Sequence, residues 1–441
     1  MGLISARREL LAWVALVILV VACCPVAWYR VVYQVGGTDF PGFYEAGRYV
    51  LEHQARHPRT LLHRFLPSVD VAWAAVAAVP LPIASVCWYG LNVLAWVGLL
   101  RQAAGLLSHV CEHERRAAVL ATAALTIVPV LDHLLLGAFH LPMLWLMVAG
   151  LGRALRGRQW SGGVLLGVAV WLKILPGLGT FYLLFKRRWQ AAAASVLVAA
   201  AMDVGLSVLG YGPTRAWETH VTWWHSRAVG DLGALLTRPG AIEQQRDRNQ
   251  SPAAVMRRVL TRMGADESAR AVIVSVCDLS PRQLQGVFLA AMGLLAGSLA
   301  YYWRKPAAGL SDQRKAGEVA LVVLATMWFC PVVWSYHPTA GMPALAVVLS
   351  AGAGHGRLKP VVGITWLVAV LLLGLPHARA AGEFLWASLL LGAAVVMVTR
   401  HFALARRCCS ACETRSSQGL NSGPGHIHGR RHQAAPRLLA G

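Results

Sequence analysis

The chain has 441 residues, of which 56% are hydrophobic and only 14% charged, with a formal net charge of +21. Soluble domains carry about 25% charged residues, so this composition excludes an ordinary soluble protein and points to an all-α polytopic membrane protein. The basic excess falls largely in short segments between apolar runs, as orientation signals do, and no nucleic-acid partner is expected.

Arg7 and Arg8 precede an uncharged apolar run over residues 10–28 and place the N-terminus in the cytoplasm. Cys23-Cys24-Pro25 makes a poor cleavage site, so the run is read as a retained anchor. Residues 29–66 form an outer segment carrying Asp39. Residues 69–79 are apolar but short and are interrupted by Pro80 and Pro82, which suits an interfacial or re-entrant piece. Spans are predicted over 83–100, 117–131 and 134–151, leaving Asp132, His133 and His140 near the outer face. Residues 162–184 are apolar, with Arg158 before them and Lys186-Arg187-Arg188 after them. Basic flanks held on one side require the segment to enter and return, with the break at Pro176-Gly177 and Lys173 near the tip. Residues 191–209 cross outward, 211–282 form a long extracytoplasmic loop, and further spans are expected at 284–301, 319–333, 339–349, 361–375 and 384–398.

About ten transmembrane or re-entrant helices result. Residues 1–400 make one multi-pass cell-membrane domain, and 401–441 read as a disordered basic tail, with both termini cytoplasmic. Asp39, the 211–282 loop and the 334–338 turn fall together on the outer face.

Four stretches stand out against the apolar background. They are Thr38-Asp39-Phe40-Pro41 with Tyr44; Trp171-Leu172-Lys173 through Pro176-Gly177 to Arg187-Arg188-Trp189; Asn249-Gln250-Ser251; and Pro331-Val332-Val333-Trp334-Ser335-Tyr336-His337. Asp39 is either a general base or the N-cap of a helix beginning at Pro41 or Gly42. Lys173 and His337, ionisable groups in or beside spans, are functional candidates by default. The plainer readings are a snorkelling lysine and a histidine that satisfies a turn. Asn249-Gln250-Ser251 before Pro252 can serve as an N-cap alone. A secondary transporter or lipid-carrier flippase also accommodates a re-entrant hairpin with an intramembrane lysine.

In this order and at these separations the stretches resemble glycosyltransferase family 87, over roughly residues 10–400. The resemblance matches the family's Asp before an aromatic-rich helix with Asp39 and Tyr44, and its Lys-x-x-Pro and Arg-Arg-Trp with Lys173, Pro176 and Arg187-Arg188-Trp189. It matches Asn-Gln-Ser with Asn249, Gln250 and Ser251, and Pro-x-x-Trp-x-x-His with Pro331, Trp334 and His337. Where the family usually reads Gly-Gln-x-Asn, this chain reads Gly137-Ala138-Phe139-His140, with a histidine in place of the Asn.

The resemblance implies a C-type membrane glycosyltransferase that moves a hexose, mannose, from a polyprenyl phosphosugar to a glycolipid or polysaccharide acceptor outside the cytoplasm. Inversion at the sugar would give an alpha product. Asp39 then serves as base, with Tyr44, Lys173, His337, His140, Asn249, Gln250 and Ser251 binding substrate or donor. The lipid-linked sugar is substrate rather than cofactor. No acidic cluster in an outer segment calls for a metal, so neither cofactor nor metal is expected.

Overall fold

The computed structural model describes residues 2–33, 37–57, 65–229, 248–262, 274–351 and 357–400, and every regular element among them is helical. The predicted tail at 401–441 lies outside the described residues, as does the middle of the 211–282 loop. The chain opens with α1 (Gly2–Val32), two short helices α2 (Asp39–His53) and α3 (Ser68–Ala77), and the long α4 (Leu81–Leu106). At 10 residues α3 is too short to cross a bilayer.

The segment predicted as one span at 117–131 is instead two helices, α5 (Glu112–Leu125) and α6 (Ile127–Leu136), bent by 52°. Pro129 accounts for the break: it cannot donate to the carbonyl of Leu125, and its ring crowds that carbonyl. Asp132 and His133 therefore lie on α6, and the turn comes later, at Gly137.

Next come α7 (His140–Leu155), α8 (Gln159–Leu172) and α9 (Gly177–Phe185). Glycines let α8 sit backbone to backbone between two neighbours. A Cβ on Gly162 would lie 2.7 Å from the Gly150 carbonyl of α7, and one on Gly167 would lie 2.7 Å from the Ser195 carbonyl of α10 (Trp189–Tyr211). Small residues that permit such close approach are how helices associate in a bilayer, where apolar surface alone gives no drive. The chain after α9 returns to where α8 began, since Arg188 donates to the Leu155 carbonyl at 3.3 Å. Segment 162–184 is thus a helical hairpin, broken at 173–176.

Beyond α10 lie α11 (Pro213–Trp223), α12 (Pro252–Leu260), α13 (Pro281–Trp303), α14 (Asp312–Trp328), α15 (Met342–Leu349), α16 (Leu358–Leu372), α17 (Pro376–Ala381) and α18 (Glu383–Arg400). Among the described residues five helices (α1, α4, α10, α13 and α18) are long and apolar enough to cross a membrane, and the bent α5–α6 pair makes a sixth candidate. Shorter apolar helices are α3, α7, α8, the 337–349 segment and α16. α14 is the centre: every residue from Ala316 to Trp328 is buried. An apolar sequence on all sides has no solvent face to present. Its predicted continuation to 333 stops short at Trp328, because Pro331 disfavours the helical conformation at Cys330.

At the Lys186 end of α9 the basic flank turns one lysine inward. Lys186 is 1% exposed and lies 2.6 Å from Glu318 of α14. Arg314 reaches the other Glu318 oxygen at 3.0 Å, and the Tyr182 hydroxyl donates to Glu318 at 3.1 Å. Lys186 also donates to the carbonyls of Trp303 and Lys305 at 2.6 and 2.7 Å. Each charge there meets an opposite charge and every donor an acceptor, as buried ionic groups require.

Candidate active site

The opposite end of α9 gathers most of the residues singled out by sequence. α2 begins at Asp39 itself, and Thr38 occupies the N-cap position without a side-chain cap bond. Asp39 is therefore not the cap of a helix starting at Pro41 or Gly42. It sits half-buried in the first turn, where a carboxylate is favoured by the helix dipole. Behind it Phe40 and Phe43 are buried against Trp73, with ring centroids 5.6 and 5.1 Å away. Aromatic rings on α2, α3, α4 and the α8 terminus form one cluster under this turn.

Gly137 joins α2 to the histidines. It adopts φ +67°, a left-handed conformation that glycine tolerates, and a Cβ there would lie 2.7 Å from the Cβ of Phe40. Its carbonyl accepts from the Trp88 indole at 2.9 Å. Three residues on, His140 opens α7, its ring 4.5 Å from that of His337. His133 donates through Nε2 to the Asn92 amide oxygen at 2.8 Å, and since that oxygen can only accept, Nε2 carries the proton.

Lys173 ends α8 in extended conformation, because Pro176 prevents the helix from running on. Its Nζ lies 3.3 Å from His337 Nε2. His337 Nδ1 accepts the Trp334 backbone N–H at 2.9 Å, so in the neutral ring Nε2 carries the proton. An ammonium and an N–H thus face each other, two donors with no acceptor between them. An oxyanion placed against them would complete charge-assisted hydrogen bonds to both.

The remaining predicted residues are occupied within the fold. The Tyr44 hydroxyl donates to the Val79 carbonyl at 2.9 Å and ties α2 to the end of α3. The Asn249 amide oxygen accepts from the backbone N–H groups of Val333 and Ser251, each at 3.0 Å, while its nitrogen donates to Pro331. Gln250 donates through its backbone to Val333 and through its side chain to Arg379, at 2.8 and 2.7 Å. Ser251 caps α12 by accepting from Ala254. This stretch clamps the 331–337 turn and so positions His337.

Sequence reasoning missed two supports. The Ser335 hydroxyl donates to Asp132 at 2.5 Å, with Arg30 and Arg248 exerting positive charge on that carboxylate. The Trp171 indole donates to Ser68, whose hydroxyl donates to Asp203 at 2.6 Å, and His220 lies 3.0 Å from Asp203's other oxygen. Nearby, Asp70 meets Arg56 at 3.1 Å; burial pushes its carboxyl up to about 6 against the pull of Arg56. The Trp171–Ser68, Ser68–Asp203 and Ser335–Asp132 partners are separated by 103 to 203 positions, and no local pattern announces them. Among the described residues no group of three or more His, Cys, Asp or Glu side chains is placed to hold a metal ion.

With this geometry in hand, comparison with known proteins is direct. The model of glycosyltransferase family 87 matches residues 67–351. The chain is 26% identical, over 70% of its length and 63% of the relative's, to a polyprenol-phosphate-mannose-dependent alpha-(1-2)-phosphatidylinositol pentamannoside mannosyltransferase of Mycobacterium tuberculosis. It is 29% identical to the protein of that name in Mycolicibacterium smegmatis, over 50% of this chain and 45% of the relative. A phosphatidylinositol mannoside mannosyltransferase of the same organism is 25% identical over 52% of this chain and 46% of the relative. The chain thus matches about half to under two thirds of the length of these relatives. No solved structure matches it.

Proposed function

The chain belongs to glycosyltransferase family 87, and from that premise we propose that it moves mannose from a polyprenyl phosphosugar to an acceptor outside the cytoplasm. The observation that carries this reading is the convergence of Lys173 Nζ and His337 Nε2 on a place that calls for an oxyanion. A lipid phosphate is such an anion, and its isoprenoid chain is at home among the outward-facing apolar helices. The names of the relatives supply polyprenol-phosphate-mannose as donor and a mannoside as acceptor class.

In the proposed step Asp39 takes the proton of an acceptor hydroxyl, and the freed oxygen forms a bond to the sugar's anomeric carbon. The bond from that carbon to the phosphate oxygen breaks, and the electron pair leaves with the polyprenyl phosphate. Lys173 and His337 meet the departing charge, as preorganised donors do in a water-poor site. Attack opposite the leaving group inverts the centre and gives an alpha linkage from a beta donor. The acceptor is a glycolipid or polysaccharide, and the reaction needs no cofactor or metal. Both termini lie in the cytoplasm and the site opens on the other side.

Membranes containing the protein, given radiolabelled polyprenyl phosphomannose, should incorporate label into a glycan. Incorporation from a nucleotide sugar alone, or none from either donor, would contradict the proposal.

A further inference from the structure

His140 stands apart from the two histidines nearest it, His133 and His337. It is 5% exposed, yet neither of its ring nitrogens has a hydrogen-bond partner. A buried polar atom without a partner is uncommon in folded proteins and asks what completes it. His133, seven residues earlier on α6, is held by Asn92 through Nε2, and His337 is held by the Trp334 backbone. Two rings face His140: His337 at 4.5 Å and Tyr336 at 5.9 Å between ring centroids.

Its chemistry differs from that of the adjoining lysine and histidine. Lys173 and His337 present donors alone, which suit an anion. A neutral imidazole presents one donor and one acceptor. Charging the ring would set another cation beside Lys173 in a buried site, so the neutral form is the one that fits. A group that both gives and takes a hydrogen bond is complemented by a hydroxyl, not by a second phosphate oxygen. The sugar is the hydroxyl-rich part of a lipid phosphosugar, and it is joined directly to the phosphate.

We propose that His140 holds one hydroxyl of the donor hexose and thereby selects which sugar is transferred; this rests on the transferase reading above. Sites built to hydrogen-bond a hydroxyl reject the analogue that lacks it, because their own polar atoms are left unpaired.

The test measures kcat/KM for wild type, His140→Phe and His140→Asn with polyprenyl phosphomannose and each of its monodeoxy analogues. Wild type should lose about 10- to 100-fold with one analogue, the scale of one buried hydrogen bond. His140→Phe should show that loss already with the parent donor, and no further loss with that one analogue. His140→Asn, whose amide also gives and takes, should keep part of the discrimination. A structural role would lower all donors alike and leave the pattern unchanged. If His140→Phe is absent from the membrane, the asparagine variant decides: undiminished discrimination overturns the inference. Wild type that transfers while His140→Phe rejects the same analogue just as strongly overturns the inference alone. Wild type that uses none of these donors overturns the transferase reading, and this one with it.

Discussion

The two ends of α9 lie about 14 Å apart along nine residues of helix, with the half-buried Lys173 before one and the buried Lys186 after the other. At one end Lys186 has a carboxylate and two carbonyls, and Glu318 has two cations and a phenol. At the other end Lys173 faces a protonated ring nitrogen, and His140 beside it has no partner at all. A satisfied network is complete without a ligand and acts on the fold. An unsatisfied one, kept in place by a deliberate clamp, is arranged for something that arrives. The same residue type therefore has opposite roles at the two ends of one short helix, and neither role follows from burial alone.

That contrast is broken first at the matched end. Glu318→Gln leaves Lys186 and Arg314 without their shared anion and should cost about 3–5 kcal/mol of stability. Thermal unfolding and membrane abundance should fall while transfer per folded molecule is kept. A variant of normal stability would mean that the cluster is not the fold's anchor.

The next effect is expected at Asp39. Asp39→Asn should lower transfer by about 10²-fold or more per folded molecule, the scale of a general base. Were Asp39 only a favourable charge in the first turn of α2, the change would be about 0.3–1 kcal/mol of stability with activity intact. Activity normalised to folded protein separates the outcomes.

A smaller effect sharpens the idea of the clamp. Asn249→Ala removes the amide oxygen that takes two backbone N–H groups, at a cost of about 1–3 kcal/mol. It should also raise the apparent KM for the donor, because the 331–337 turn that presents His337 loosens. Lost stability with an unchanged KM would show that the clamp does not position the site.

Much of this was legible in the sequence because hydropathy and proline act locally. Apolar runs marked the long spans, and Pro176 between basic flanks marked the hairpin with Lys173 at its turn. The four polar stretches were visible as interruptions in an apolar chain, and three of them, around Asp39, Lys173 and His337, meet at one end. Pro129 carried a similar signal for the α5–α6 bend, hidden because the run on both sides stayed apolar. Roles that depend on distant partners were not legible. Lys186 read as an orientation charge until Glu318 was placed beside it, 132 positions later in the numbering. Asn249-Gln250-Ser251 read either as ligands or as an N-cap; Ser251 does cap α12, and the stretch's distant partners at residues 331, 333 and 379 had no local signal.

The central claim is that the unmatched end serves a phosphate, and the direct measurement is donor kinetics of Lys173→Met, which keeps the apolar stem and removes the charge. kcat/KM for polyprenyl phosphomannose should fall by the equivalent of about 2–4 kcal/mol per folded molecule, with stability unchanged or raised. Lys173→Arg should recover part of the loss, since either cation meets a phosphate. A Lys173→Met enzyme with an unchanged apparent KM and rate for the lipid donor would contradict the account.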